Sequence, residues 1–217
     1  MNVLLAHGSS DSRHAAQAEK LAERASEELG EAIELRFLSC EKLPEDAHVL
    51  PLLLGEGWHA RHDIVRLAEL SGCTMLPSLS SRSVPIACMA ADLVKQTLSG
   101  DSSAMFAVYH LEGFEAITAA LNGLKARFDR LSVVEMHKSP NVAEALAGWQ
   151  AEGVVNMVVQ PMALFEGKTM ESVRQTVAKS GTGALVGPVL STHIAFPSFI
   201  ADCFREGFTE GFSEMQV

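Results

Sequence analysis

Short apolar stretches alternate with helix-length segments of 3.6-residue periodicity along almost the whole chain, and this alternation constrains the fold most. Val3 to Ala6 reads as a strand. From Asp11 to Leu29, apolar residues recur at Ala15, Ala18, Leu21, Ala22, Ala25 and Leu29, the spacing of one helix face. Asp11 or Ser12 can cap that helix and Gly30 can end it. Strands follow at Ile33 to Leu38 and at His48 to Leu54, the latter with Pro51 bending it or sitting off the ladder. A helix from His62 to Leu70, a strand from Thr74 to Leu79 and a helix from Ser83 to Leu98 complete the half. Strands separated by helices pair in parallel through right-handed crossovers.

The second half repeats the plan. Strands are expected at Met105 to Tyr109, Leu131 to Met136, Val154 to Leu164 and Ala184 to Leu190. Helices are expected at Phe114 to Phe128, Pro140 to Ala151, Lys168 to Ala178 and Pro197 to Phe208. "LLAHGSSD" matches "FAVYHLEGF", setting His7 over His110. "VLPLLLGEG" matches "VVQPMALFEG", setting Pro51 over Pro161 and Glu56-Gly57 over Glu166-Gly167. A repeat of about a hundred residues is too long for a solenoid and signals two fused copies of one domain. The expected fold is α/β: two similar doubly wound parallel-sheet halves, residues 1–101 and 102–217, facing each other across a cleft. The polar stretch Ser99 to Ser103 is the linker, and duplication within one chain implies a monomer. One irregularity stands out. Cys40 to Ala47 is too short for a crossover helix, so the chain must return there by an extended loop.

Composition excludes several classes. A net charge of -10 argues against a nucleic-acid surface, which needs a basic stripe. No apolar run reaches the length of a membrane span, and the N-terminus has no basic, small-residue secretory signal. Cys40, Cys73, Cys88 and Cys203 show no metal-ligand spacing and read as reduced thiols. A cytoplasmic protein is expected.

The chemistry lies at strand ends. His7 closes the first strand, and His59 follows the third in "GEGWHARHD". With sheet order 2-1-3-4, strands 1 and 3 are neighbours whose following loops diverge, the switch point where ligands usually bind. That geometry sets His7 and His59 across one crevice, where two neutral imidazoles suit a late first-row divalent ion such as iron, cobalt or nickel. His14 and His48 read as structural or solvated, and His62 as a helix cap. His137 and His193 follow strands, and His110 is the repeat's copy of His7, but nothing in the second half repeats His59.

"LLAHGSSDSRHA" followed by "VLPLLLGEGWHARHDI" resembles the two signature stretches of the sirohydrochlorin cobaltochelatase and ferrochelatase family, the class II tetrapyrrole chelatases. The shared residues are His7-Gly8-Ser9, Gly57, His59 and Asp63-Ile64, and the two-half plan resembles the long, internally duplicated form. Ser12 stands where that family usually has proline. The resemblance implies insertion of cobalt or iron, with nickel also compatible, into sirohydrochlorin or a related tetrapyrrole, without nucleotide, in cobalamin or siroheme biosynthesis. It implies His7 and His59 as metal-handling and catalytic residues. Ser9, Ser10, Arg13, Arg61 and Lys168 are the candidates to meet substrate carboxylates, which a net-acidic protein must bind locally. Two other readings meet the same residues. One is a carrier of tetrapyrrole or metal without turnover; the other is a histidine phosphatase, although Ala6 stands where such enzymes place arginine.

Overall fold

The computed structural model describes residues 1–57, 62–136 and 141–213, with side chains through residue 207. His59, Arg61 and His137 lie outside the described residues.

The first sheet contains β1 (Asn2–Ala6), β2 (Ile33–Phe37), β3 (His48–Pro51) and β4 (Thr74–Met75), all parallel, in the order β2-β1-β3-β4. β1 is hydrogen-bonded on both sides and buried throughout, as an apolar strand covered on both faces must be. Pro51 ends β3 opposite Leu5. Proline has no N–H to donate, so Leu52 N–H makes the next bond to the Leu5 carbonyl, at 2.9 Å. Helix α1 (Ser12–Leu29) starts on the Asp11 cap and stops at Gly30 in the left-handed region, burying Ala18, Leu21, Ala22 and Ala25. α2 (Asp63–Ser71) follows β3.

The link from β2 to β3 has no helix, as the sequence requires. Leu38, Leu43 and Ala47 from that link pack with Val3, Leu5, Val49 and Leu67. Leu43 N–H donates to the buried Ser71 hydroxyl at 2.9 Å, which holds the loop against the sheet.

The second sheet repeats the topology. It contains β5 (Ser103–Val108), β6 (Arg130–Glu135), β7 (Met157–Pro161) and β8 (Leu185–Val186), in the order β6-β5-β7-β8. Its helices are α3 (Ser83–Thr97), α4 (Glu115–Asn122), α5 (Val142–Ala151) and α6 (Lys168–Ser180). Here the crossover between the first two strands is helical: α5 supplies Val142, Leu146 and Trp149 to the core. Asn141 and Glu144 form a capping box that starts it.

Several elements are shorter than the apolar runs suggest. The helix expected over Phe114 to Phe128 stops at Asn122, where Gly123 N–H turns back to Ala119 and Ala120 carbonyls and a 3-10 turn follows. β4 and β8 are two residues each, because their apolar continuations leave the ladder to fill the core as loops. No helix among the described residues is long and apolar enough to cross a membrane.

The sheets divide as the linear halves do, but the compact units do not follow that cut. One unit is Met1–Ser81 with Ile194–Val217, and the other is Arg82–His193. Helix α3 follows β4 in sequence yet packs on α4 and β7, and the last helix, α7 (Phe196–Ser213), packs on α1 and β3.

Equivalent hydrogen bonds align the two sheets without reference to side chains. Leu52 N–H bonds Leu5 as Met162 bonds Ala107, and Leu76 bonds Val49 as Gly187 bonds Val159. Leu50 therefore corresponds to Gln160, and Leu76 to Gly187. Gln160 is fully buried, and its amide donates to the Pro161 and Pro188 carbonyls at 3.0 and 2.8 Å. Its Oε1 occupies the space that a side chain at 187 would need: a Cβ there would lie 2.0 Å away. Exchanging two leucines for a glutamine and a glycine keeps the layer filled. Gly187→Ala is expected to cost about 1–3 kcal/mol by overpacking. An unchanged urea midpoint would show that Gln160 does not lie against Gly187.

Candidate functional site

At the carboxyl edge of the first sheet, Ala6 makes the last ladder bond of β1, its carbonyl accepting from Leu38 N–H. His7 is the first residue beyond, and it is exposed. Gly8 then takes φ +85°, a left-handed conformation that L side chains rarely adopt, and this turns the chain toward α1. The His7 ring nitrogen Nδ1 lies 2.9 Å from the Gly8 carbonyl. A carbonyl only accepts, so Nδ1 carries the proton in that bond, which makes Nε2 the ring nitrogen able to ligate a metal. Such a bond orients an imidazole for metal binding.

The turn is organised by its own polar side chains. Ser9 Oγ accepts from Asp11 N–H at 3.1 Å, and Asp11 accepts from Arg13 N–H at 3.0 Å. The Arg13 guanidinium closes on the same carboxylate through Nε at 3.1 Å and a terminal nitrogen at 2.7 Å. The Arg13 side chain, then the Arg13 backbone N–H, hold the Asp11 carboxyl down at about 2. Arg13 is thus already neutralised by Asp11, which weakens the expectation that it serves a substrate carboxylate. Ser10 is exposed at the same turn.

His14 is closer to the chemistry than the sequence suggests. Burial first, and then the neighbouring His7, hold its imidazole below the ordinary value of 6.5, while Asp11 opposes them. A divalent ion on His7 would add to the repulsion and push His14 further in the same direction. Helical periodicity places His14 off the apolar face of α1 but cannot reveal that the Gly8 turn brings it beside His7.

β1 and β3 are adjacent, and their loops leave in opposite directions, so the switch point inferred from the sequence is present. The loop after β3 is described through Gly57. On it, Glu56 is exposed, with Ser80 Oγ at 3.5 Å, and Ser80 shares a 2.7 Å hydroxyl contact with Ser78. The sequence marked Glu56 only as a repeat landmark. Its copy Glu166 differs: Arg174 holds it bidentately at 2.7 and 2.6 Å.

The other histidines sort by environment. His48 begins β3, and its N–H donates to the Met1 carbonyl. His62 occupies the N-cap position of α2 but makes no side-chain capping bond, contrary to expectation. His193 is buried in the second unit, 3.7 Å from Asp92, which also accepts from Arg127 at 2.5 Å. Lys168 is exposed at the first position of α6.

The pairing of His7 with His110 needs correction by one residue. Pro51 faces Leu5 and Pro161 faces Ala107, so the residue two beyond each strand partner is His7 in the first sheet and Tyr109 in the second. His110 corresponds to Gly8. The sequence does not reveal the offset, because β1 and β5 are buried along their whole length and give no register of their own. Among the described residues, no cluster of three or more His, Cys, Asp or Glu side chains could hold a metal.

Comparison with known proteins agrees with this fold. Residues 1–76 match the CbiX family model. No curated protein sequence matches significantly. Among solved structures, CbiX, titled the terminal enzyme for biosynthesis of siroheme in denitrifying bacteria, is similar with a TM-score of 0.76 and 19% identity, over 95% of this chain and 99% of that one. SirB from Bacillus subtilis with Fe3+ is similar with a TM-score of 0.77 and 17% identity, over 100% of this chain and 98% of that one. The sirohydrochlorin chelatase SirB from Bacillus subtilis subspecies spizizenii, in complex with cobalt, gives 0.68 and 17%, over 97% and 95%. The chain shares their two-sheet α/β fold.

The Asp11 cap yields a pH prediction. A carboxyl held at about 2, against an ordinary 3.8, stabilises the fold above 3.8, and that contribution is lost as pH falls through about 2. Asp11→Ala should lower Tm at neutral pH, with the difference closing across this acid window. A side-chain NMR titration of Asp11 with its midpoint at the ordinary carboxylate value would refute the Arg13 pairing.

Proposed function

We propose that this chain inserts a divalent metal ion, cobalt or iron, into sirohydrochlorin or a closely related tetrapyrrole, without nucleotide, in the cytoplasm. The observation that carries the reading is the match of residues 1–76 to the CbiX family model, a span that contains both His7 and His59. The exposed His7 ring at a doubly wound switch point supports it from the physical side. The named activities of the similar structures support the substrate class.

Metal insertion exchanges two pyrrole protons for one divalent ion, so the site needs a lone pair to hold the ion and neutral bases to take the protons. His7, with Nδ1 tied to Gly8, offers Nε2 for the ion. His59 is the proposed second ligand and base. His14 lies within electrostatic reach of His7, but burial and His7 both lower its affinity for a proton, so the base role is proposed for His59 and not for His14. Ser9, Ser10 and Arg61 are the proposed donors to substrate carboxylates, with Arg13 a weaker candidate because Asp11 holds it. Lys168 is proposed for a carboxylate contact on the second unit.

Mixing the protein with metal-free sirohydrochlorin and cobalt or ferrous iron should change the macrocycle absorbance as metal enters. His7→Ala and His59→Ala should each reduce the rate at least about a hundredfold, in the range expected for loss of a ligand or general base. Folding should be intact, because His7 lies beyond the ladder. Cobalt affinity of the wild type should also fall toward acid pH, since a protonated imidazole cannot bind a cation. Full turnover by His7→Ala, or no metal insertion by the wild type, would overturn the assignment.

A further inference from the structure

The second sheet has a mouth of its own, and its chemistry differs from that of the first. Where the first sheet presents His7, the second presents Tyr109, 46% exposed, followed two residues later by Leu111, 42% exposed. The aromatic ring of Tyr109 and the side chain of Leu111, at the carboxyl end of a central strand, expose apolar surface that gains nothing from solvent. They are not there by laxity of the loop, which is pinned: Leu111 N–H donates at 2.6 Å to Glu135, a buried carboxylate at the end of β6. The Tyr109 ring is pinned as well. His110 meets it edge-on, with ring centroids 4.5 Å apart at 77°, and His110 Nδ1 is buried without a hydrogen-bond partner among the described residues.

The loops after β5 and β7 leave this same edge of the sheet, between which the strand order reverses. The β7 loop leads to α6, whose first residue is the exposed Lys168. The edge thus carries a fixed aromatic plane, an aliphatic side chain and a cation. Glu112 and Glu115 lie on the β5 side, and Glu115 accepts from Gly113 N–H at 3.0 Å. A ligand with an apolar ring and a carboxylate rim fits, provided that its acids point toward Lys168 and away from the two glutamates.

We infer that Tyr109 and Leu111 form a platform for the face of the tetrapyrrole macrocycle, with Lys168 meeting one of its carboxylates. The identity of the ligand rests on the chelatase reading; the platform is a property of the second unit alone.

The test is titration of the full chain with metal-free sirohydrochlorin, followed by macrocycle absorbance, alongside cobalt titration without macrocycle. Tyr109→Ala should weaken macrocycle binding about tenfold, the scale of a lost aromatic contact with its burial. Tyr109→Phe should restore it, because the ring and not the hydroxyl makes the contact. Lys168→Gln should weaken it about threefold or more, the loss becoming smaller at high salt. Cobalt binding should be unchanged in all three, and the melting temperature and circular dichroism of each variant should match the wild type, which loss of structure in the second unit would not permit. If the wild type binds and metallates the macrocycle while Tyr109→Ala binds it equally well, the platform is refuted and the chelatase reading stands. If the wild type binds no macrocycle, both fall.

Discussion

Everything in this structure depends on β1 being paired in parallel on both sides. A strand so placed must be buried on both faces, and Val3 to Ala6 are fully buried. Parallel neighbours on either side require the chain to leave β1 toward β2 and to leave β3 toward β4, so the two loops diverge. The first polar residue after β1 is then delivered to a gap in the sheet edge. That residue is His7. The Gly8 turn, the Ser9 and Asp11 hydrogen bonds and the Arg13 clamp fix the exit of the chain, and with it the imidazole. The second sheet repeats the constraint and delivers Tyr109 to the equivalent point.

Much of this was legible in the sequence. Alternation gave the strand order's ingredients, Asp11 and Gly30 marked both ends of α1, and the short Cys40 to Ala47 link announced a crossover without a helix. These features are local, and local chemistry determines them. Three features were not legible. The offset between His7 and His110 depends on backbone register, which two uniformly buried strands do not encode in any pattern of polarity. The lengths of β4 and β8 depend on where loops must dip to fill the core, and apolar content does not distinguish a core loop from a strand. The placement of α3 and α7 in units other than those of the strands that precede them is a tertiary choice that the local sequence does not encode.

The paired sheets also show how duplicated folds diverge without losing density. In one copy a leucine pair fills the layer that a glutamine and a glycine fill in the other. In one, a loop carrying Leu38, Leu43 and Ala47 covers the face that α5 covers in the other. Glu56 faces hydroxyls while Glu166 is clamped by Arg174. The buried layers conserve volume; the sheet mouths, free of that demand, are where the copies differ in chemistry. Function is expected to follow the mouths.

The central claim is that the mouth of the first sheet binds the metal through imidazole. X-ray absorption at the cobalt edge, on the full chain loaded with one equivalent of cobalt, reads this directly, because ordered imidazole rings add characteristic outer-shell scattering. The account predicts that scattering in the wild type and its reduction in His7→Ala. A cobalt ion surrounded only by oxygen, or a spectrum that His7→Ala leaves unchanged, would contradict it.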